Sequence, residues 1–255
     1  MHPILLEYAG FRLETYTVIG IFALLVFMIW TRRRAVSMGM RAEDAEKILI
    51  WVYVCGLLGA VAGDVIEKSA YSVSLPTISQ IITNSGATSG AGLLVGGVTG
   101  VLLMRRYKVS IGAGLDAAAV PLAFMFSIAR IGCWFAGCCR GIGTAHGAGV
   151  WWMCRFPNDP EYLYRCPTQL MESLAAAIIG LILMTIENEI SLRGSETDKP
   201  RVLFPIFIVL YGTYRMVFDG LREPEPSAAF RMAPVIAPAA VAASVLWLWW
   251  IWKKR

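Results

Sequence analysis

Seven predominantly apolar stretches, each close to the length needed to cross a bilayer, dominate this chain. They run roughly over 15–31, 48–66, 89–104, 114–135, 168–187, 202–219 and 234–252. A hydrocarbon core of ~30 Å takes about 20 residues at helical rise, so each stretch reads as a transmembrane helix. Composition agrees: 57% of residues are hydrophobic and 16% charged, with a mean hydropathy of +0.60. A soluble domain is usually about a quarter charged, so this chain needs lipid around it as well as a core. The expected fold is all-α, a polytopic membrane protein with about seven spans in a single transmembrane domain over 1–255. Residues 136–167 are expected to form a loop on the outer face.

No tandem repeat, low-complexity tract or soluble domain is present. The net charge of +5 would suggest nucleic acid only if it formed one patch. Here the basic residues stand as short clusters between apolar segments, which reads as topology signals and excludes a nucleic-acid partner. Glycines interrupt the third stretch (Gly90, Gly92, Gly96, Gly97, Gly100). Small residues of this kind let helices approach closely. The first stretch follows Glu7, Arg12 and Glu14 instead of a basic region, so it reads as a retained span and not a cleaved signal peptide.

Orientation follows from lysine and arginine. Arg32, Arg33, Arg34, Arg41 and Lys47 follow the first span, and Arg105, Arg106 and Lys108 the third. Arg193, Lys199 and Arg201 follow the fifth, and Lys253, Lys254 and Arg255 end the chain. All fourteen fall on one side if the N-terminus is outside, which makes that side cytoplasmic. The expectation is N-out, C-in, in a bacterial inner membrane.

Ionisable groups inside a membrane are expensive, so each one is a functional candidate. Asp64 and Glu67 end the second span, Arg130 the fourth, and Glu172 begins the fifth. Arg215, Asp219 and Arg222 close the sixth at i, i+4, i+7, a spacing that puts all three on one helical face. With the topology above, every one of these groups lies towards the outer face. They can be read as an interfacial, salt-bridged helix end with snorkelling arginines. The functional reading is a pair of cations that fork around a phosphate.

The segment from Ala129 to Gly141 places Arg130 and Arg140 on either side of a turn rich in glycine and cysteine, whose backbone N–H groups suit an anion. Cys133, Cys138, Cys139, Cys154 and Cys166 all fall on the outer side, while Cys55 lies within the second span. Disulfides are permitted outside the inner membrane, and for some of these five a disulfide ranks, beside a role as small packing residues, above a metal site. Five is odd, and a bond between adjacent Cys138 and Cys139 is strained. A zinc site with His146 ranks lower because no Cys-x-x-Cys spacing is present, and a catalytic thiol ranks lower still.

These residues resemble the prolipoprotein diacylglyceryl transferase family over nearly the whole chain. The family signature Arg-x-Gly-Asn-Phe-x-Asn-x-Glu-x-x-Gly is similar to Arg130 through Gly141. Its Tyr-Gly-x-x-Arg-x-x-x-Glu-x-x-Arg ending is similar to Tyr211-Gly212 with Arg215, Asp219 and Arg222. His-Pro-Ser-Gln-Leu-Tyr-Glu looks like Cys166-Pro167-Thr168-Gln169-Leu170-Met171-Glu172, and a family tyrosine at the first span looks like Tyr16. The departures are equally specific. The family's functional histidine falls on Gly90, its signature asparagines and glutamate become Cys133, Ala136 and Cys138, and an arginine of the second span becomes Asp64.

The resemblance implies transfer of the diacylglyceryl group of phosphatidylglycerol to the thiol of a lipoprotein-precursor cysteine, with no cofactor or metal. Arg130, Arg215, Asp219 and Arg222 would be catalytic. Tyr16, Arg130, Gly141, Gln169, Glu172 and Arg215 would bind substrate within a lipid-filled cavity. The base that replaces the histidine stays open among Glu172, Asp64, His146 and no dedicated group. Two further readings use the same scaffold: a membrane protein handling thiols or metal through the cysteine set, and a lipid-binding protein or transporter without chemistry.

Overall fold

The computed structural model describes residues 4–8, 11–71, 89–144, 152–193, 201–222 and 233–253. Among the described residues the helices are α1 (Thr15–Ser37), α2 (Ala42–Tyr71), α3 (Ser89–Arg106), α4 (Ile111–Ala136), α5 (Thr168–Arg193), α6 (Leu203–Asp219) and α7 (Ala233–Lys253). Among the described residues four segments are long and apolar enough to cross a membrane: Thr15–Ser37, Ala42–Ile66, Ile111–Ala136 and Thr168–Leu192. In lipid a helix satisfies its own backbone polar groups, which is why such apolar runs fold this way.

The chain is not purely helical. An antiparallel hairpin, β1 (Ile4–Tyr8) with β2 (Phe11–Glu14), precedes α1. Between α4 and α5 a small sheet of β3 (Gly143–Thr144), β4 (Cys154–Arg155) and β5 (Tyr164–Arg165) runs in the order β3-β5-β4. Hydropathy could not announce these strands, because two-residue ladders have no periodicity to read.

Helix α4 is the hub, packing against α1, α5 and α6. Its buried face is made of small residues, with Ala117, Ala119, Val120 and Ala123 inaccessible to solvent. Ala119, Val120 and Ala123 meet Ile179 and Leu183 of α5 and Leu203 and Phe207 of α6, while Ala117 packs with Ala35 of α1, Ala45 and Ile48 of α2 and Met104 of α3. Rings of Phe126, Phe207 and Tyr211 stack beside them, with Phe126 and Tyr211 centroids 4.8 Å apart. Without a hydrophobic drive between helices in lipid, close packing of this sort is what holds them together. Gly92, Gly96 and Gly100 of α3 serve the same purpose against α2, whereas Gly90 and Gly97 face open space and make no such approach. A Cβ on Gly92 would lie 2.9 Å from the Gly56 carbonyl oxygen, and one on Gly96 3.1 Å from that of Val52.

At the end of the bundle where α4 begins, Arg34 donates to the carbonyls of Ala117 (2.9 Å) and Asp116 (3.1 Å) and pairs with Glu187. Asp116 accepts from the Phe204 N–H at 2.8 Å, capping the start of α6. Arg34, one of the basic cluster after α1, is thus a strut that locks α1 to α4 and α5.

At the other end, α4 stops at Gly137, whose left-handed φ of 67° lets its N–H turn back to the Trp134 carbonyl. Asn158 closes the same end by donating to the Ala136 carbonyl at 3.0 Å. The turn that follows is held by the first turn of α5, where the functional candidates gather.

Candidate functional site

Glu172 sits in the second turn of α5 with its side chain fully buried. Arg130, near the end of α4, approaches its Oε2 at 2.5 Å through Nε. Arg222, just beyond α6, grips both carboxylate oxygens, Nε to Oε1 at 2.8 Å and Nη2 to Oε2 at 2.7 Å. Arg215, on α6, places Nη1 3.7 Å from Oε2. Each guanidinium is less than a fifth exposed. Three cations therefore converge on one carboxylate among the described residues.

Backbone contacts set the arrangement. Gly141 and Arg222 form a β-bridge, and the Ile142 N–H donates to the Leu221 carbonyl at 3.0 Å, tying the end of α6 to the turn after α4. Gly141 must be glycine here. A Cβ would lie 2.7 Å from the Cys166 carbonyl oxygen and 2.8 Å from Thr168 Cγ2. Gln169, fully buried, donates to the Cys138 carbonyl at 2.7 Å, and Thr168 donates to that of Cys139 at 3.0 Å. Gln169 thus acts on the turn, not directly on the arginines. Thr168, which the sequence did not single out, shares that work; its place in the turn Cys166 to Glu172 was the only signal for it.

Tyr16, at the start of α1, is about half exposed, and its ring edge lies 3.3 Å from where a Cβ on Gly132 would be. It therefore leans over the last turns of α4, between Arg130 and the cysteine turn. Tyr211 belongs to the neighbourhood too, with its ring stacked on Phe126 and edge-on to Tyr214.

Other candidates are placed elsewhere. Arg140, which flanks the turn with Arg130 in sequence, is directed to Asp159 at 3.6 Å instead of Glu172. Asp159 is itself bound bidentately by the buried Arg165 at 2.7 and 3.0 Å, and Arg165 also holds Glu161 at 2.8 Å. These bonds hold Asp159 down to a pKa of about 2. Asp64 is buried on α2. Asp219 ends α6, but its side chain, like that of Glu67 and all of His146, lies outside the described residues. Glu172 is a poor general base, because arginines occupy both of its oxygens.

All six cysteines are free thiols. Cys133, in the last turn of α4, and Cys138 and Cys139, just past Gly137, bring their Sγ atoms within 4.8 Å of one another. Cys133 is buried and Cys138 exposed, and Cys139 adopts a positive φ of 57°. Hydrogen bonding from the Cys133 and Cys138 thiols, with Arg130 and Arg222 close by, draws the Cys139 thiol below its usual pKa. Cys154 and Cys166 stand apart, directed to the Arg165 carbonyl and to Met171 Sδ respectively. Burial pushes both of those thiols up.

Comparison with known proteins shows the family. A phosphatidylglycerol–prolipoprotein diacylglyceryl transferase from Clostridium tetani is 24% identical over 223 residues, 87% of this chain and 86% of its own. The protein of that name from Desulfotalea psychrophila is 26% identical over 267 residues, covering 99% of this chain and 94% of its own. The one from Rhodospirillum rubrum is 27% identical over 235 residues, 89% and 82% of the two chains. The profile of the prolipoprotein diacylglyceryl transferases matches residues 3–250, a span that takes in the arginines, Glu172 and the cysteine turn alike, and the chain belongs to that family.

Proposed function

We propose that this chain transfers the diacylglyceryl group of phosphatidylglycerol to an acceptor thiol, the cysteine of a prolipoprotein, at the outer face of the bacterial inner membrane. The observation that carries the reading is the convergence of Arg130, Arg215 and Arg222, each largely buried, on the buried Glu172, a set of guanidinium forks of the kind that grips a phosphate. A phosphodiester headgroup brings one negative charge to them on binding, and the leaving glycerol phosphate carries a second. Arg130 and Arg215 hold the phosphate, while Glu172 fixes the direction of the Arg130 and Arg222 guanidinium planes and Arg222 supports the pair. Charge that develops on the phosphate in the transition state is what such preorganised donors stabilise, each by about 3–4 kcal/mol in comparable sites. In this reading the seven helices all cross the bilayer with the N-terminus outside, and Asp219 supports the arginines.

Purified full-length protein reconstituted with phosphatidylglycerol and a lipobox peptide tests the reading. Release of glycerol phosphate together with a lipidated peptide supports it. No turnover in wild type, under conditions where a C. tetani-type relative is active, overturns it.

A second reading is favoured by one observation, the three thiols within 4.8 Å: a protein of this scaffold that handles thiols or metal without lipid transfer. Metal content without turnover would favour it.

A further inference from the structure

We infer that Cys133, Cys138 and Cys139 form a zinc site with an open fourth position, which takes the acceptor thiol as a metal-bound thiolate. The geometry comes first. The three Sγ atoms lie within 4.8 Å of one another. Zinc–sulfur bonds of about 2.3 Å put thiolates about 3.8 Å apart around a tetrahedral ion, so closure needs side-chain adjustments of well under ~1 Å each. Two of the three ligands come from a turn whose backbone is already clamped, Cys138 by Gln169 and Cys139 by Thr168, both fully buried. The third is fixed by the last turn of α4. The donors are therefore organised before any ion arrives, and the exposed Cys138 leaves a route in.

Charge points the same way. Three thiolates around Zn²⁺ carry one net negative charge, and the Arg130 and Arg222 guanidinium groups stand close to Cys139. Among the described residues, the group offers three ligands and no fourth. Three protein ligands with a vacant position is the pattern of catalytic zinc, whereas structural zinc is closed by four. Position along the helix places the vacancy next to the chemistry. Cys133 follows Arg130 at i+3, so the two side chains share a face with Cβ atoms about 5–6 Å apart.

The role rests on the transferase reading above and supplies what that reading lacks, a means of ionising the acceptor where Glu172 is fully engaged. A coordinating thiol is deprotonated outright. The acceptor gives its proton to solvent as its sulfur binds zinc. That sulfur then attacks the glyceryl carbon, an S–C bond forms, and the C–O bond to the phosphate breaks. The electron pair leaves on glycerol phosphate, held by Arg130 and Arg215. The thioether product is a weak ligand and departs, and no oxidant or reductant is required.

The test uses full-length protein purified under reducing conditions in detergent, stripped with chelator and titrated with Co²⁺ or Zn²⁺ alone. One equivalent of Co²⁺ should give an intense thiolate-to-cobalt charge-transfer band. C133S and C139S should lose the band, while R130A should keep it and lose transfer. Stripping should lower transfer at pH 7 at least tenfold. It should also shift its pH profile towards the free thiol pKa of about 8.5, and Zn²⁺ should restore both. Absence of the band in wild type overturns the site, whatever the transfer assay shows. A band with transfer and pH profile indifferent to stripping overturns the role. So does stoichiometric copper(I), which sits three-coordinate and leaves no vacancy. A band in a protein that never transfers lipid sinks the transferase reading and this role together, leaving a metal site alone.

Discussion

Arg222 and Glu172 meet across fifty residues of chain in a bidentate pair, Nε to Oε1 at 2.8 Å and Nη2 to Oε2 at 2.7 Å. The pair joins the end of α6 to the beginning of α5, and Arg130 adds α4 through the same carboxylate. Three helices thus converge on one buried anion, and the stability of this end of the bundle is tied to its chemistry.

Glu172→Gln removes the only carboxylate among the described residues that touches these arginines. Breaking a buried pair by losing one partner costs about 3–5 kcal/mol, because the charges left behind stay buried. We expect a clear fall in the thermal midpoint in detergent and loss of lipid transfer. Glycerol phosphate in the buffer should recover part of the lost midpoint, by binding among the freed guanidinium groups. A midpoint equal to wild type would show that the Glu172 pairs do not hold this end of the bundle.

Arg130→Ala should lower kcat for transfer by about a hundred- to a thousand-fold, the loss associated with one preorganised donor to a developing anion. Arg130→Lys should recover little, since a point charge cannot reproduce the fork. Equal activity of the lysine variant and wild type would argue against a geometric role.

Gly141→Ala forces a methyl group within 3 Å of the Cys166 carbonyl and Thr168. Overpacking of this kind costs about 1–3 kcal/mol. Because Gly141 bridges to Arg222, KM for lipid should rise as well as stability fall. Transfer kinetics measured well below the unfolding midpoint separate the two effects.

Asp159 has a folded pKa of about 2, below its ordinary 3.8, because Arg165 holds it. A carboxyl with a lowered folded pKa contributes stability that is complete above the unfolded value and is lost as pH falls through the folded one. Amide exchange protection of β5 should therefore persist at pH 5 and decline between about pH 4 and pH 2. Asp159→Asn should show weaker protection at pH 5 and little further pH dependence across that window. Protection in wild type that is unchanged at pH 2 would show that Arg165 does not depend on this partner.

The glycine turn and the candidate arginines were legible because the spacing of Arg130, Arg215 and Arg222, and the placing of Glu172 at a helix start, are local facts. Less legible were the partners. Arg140 looked equivalent to Arg130 beside the same turn, yet it goes to Asp159, since Gly137 reverses the chain between them. Arg34 looked like one of several topology charges, and only packing shows it bonded to Ala117 and Glu187. Two-residue strands and the Asp159–Arg165 pair had no sequence pattern at all.

By itself the sequence determined the helical class, the approximate helix positions and the candidacy of Arg130, Glu172, Arg215 and Arg222, though not that of Asp116, which is buried on α4. It could do so because lipid demands long apolar helices and penalises each stray charge within them. The tertiary structure alone decided that three arginines share one carboxylate and that three cysteines share one small volume. Both depend on how α4, α5 and α6 pack and on the turn after α4, where contacts far apart in the chain set side-chain distances that residue spacing cannot encode.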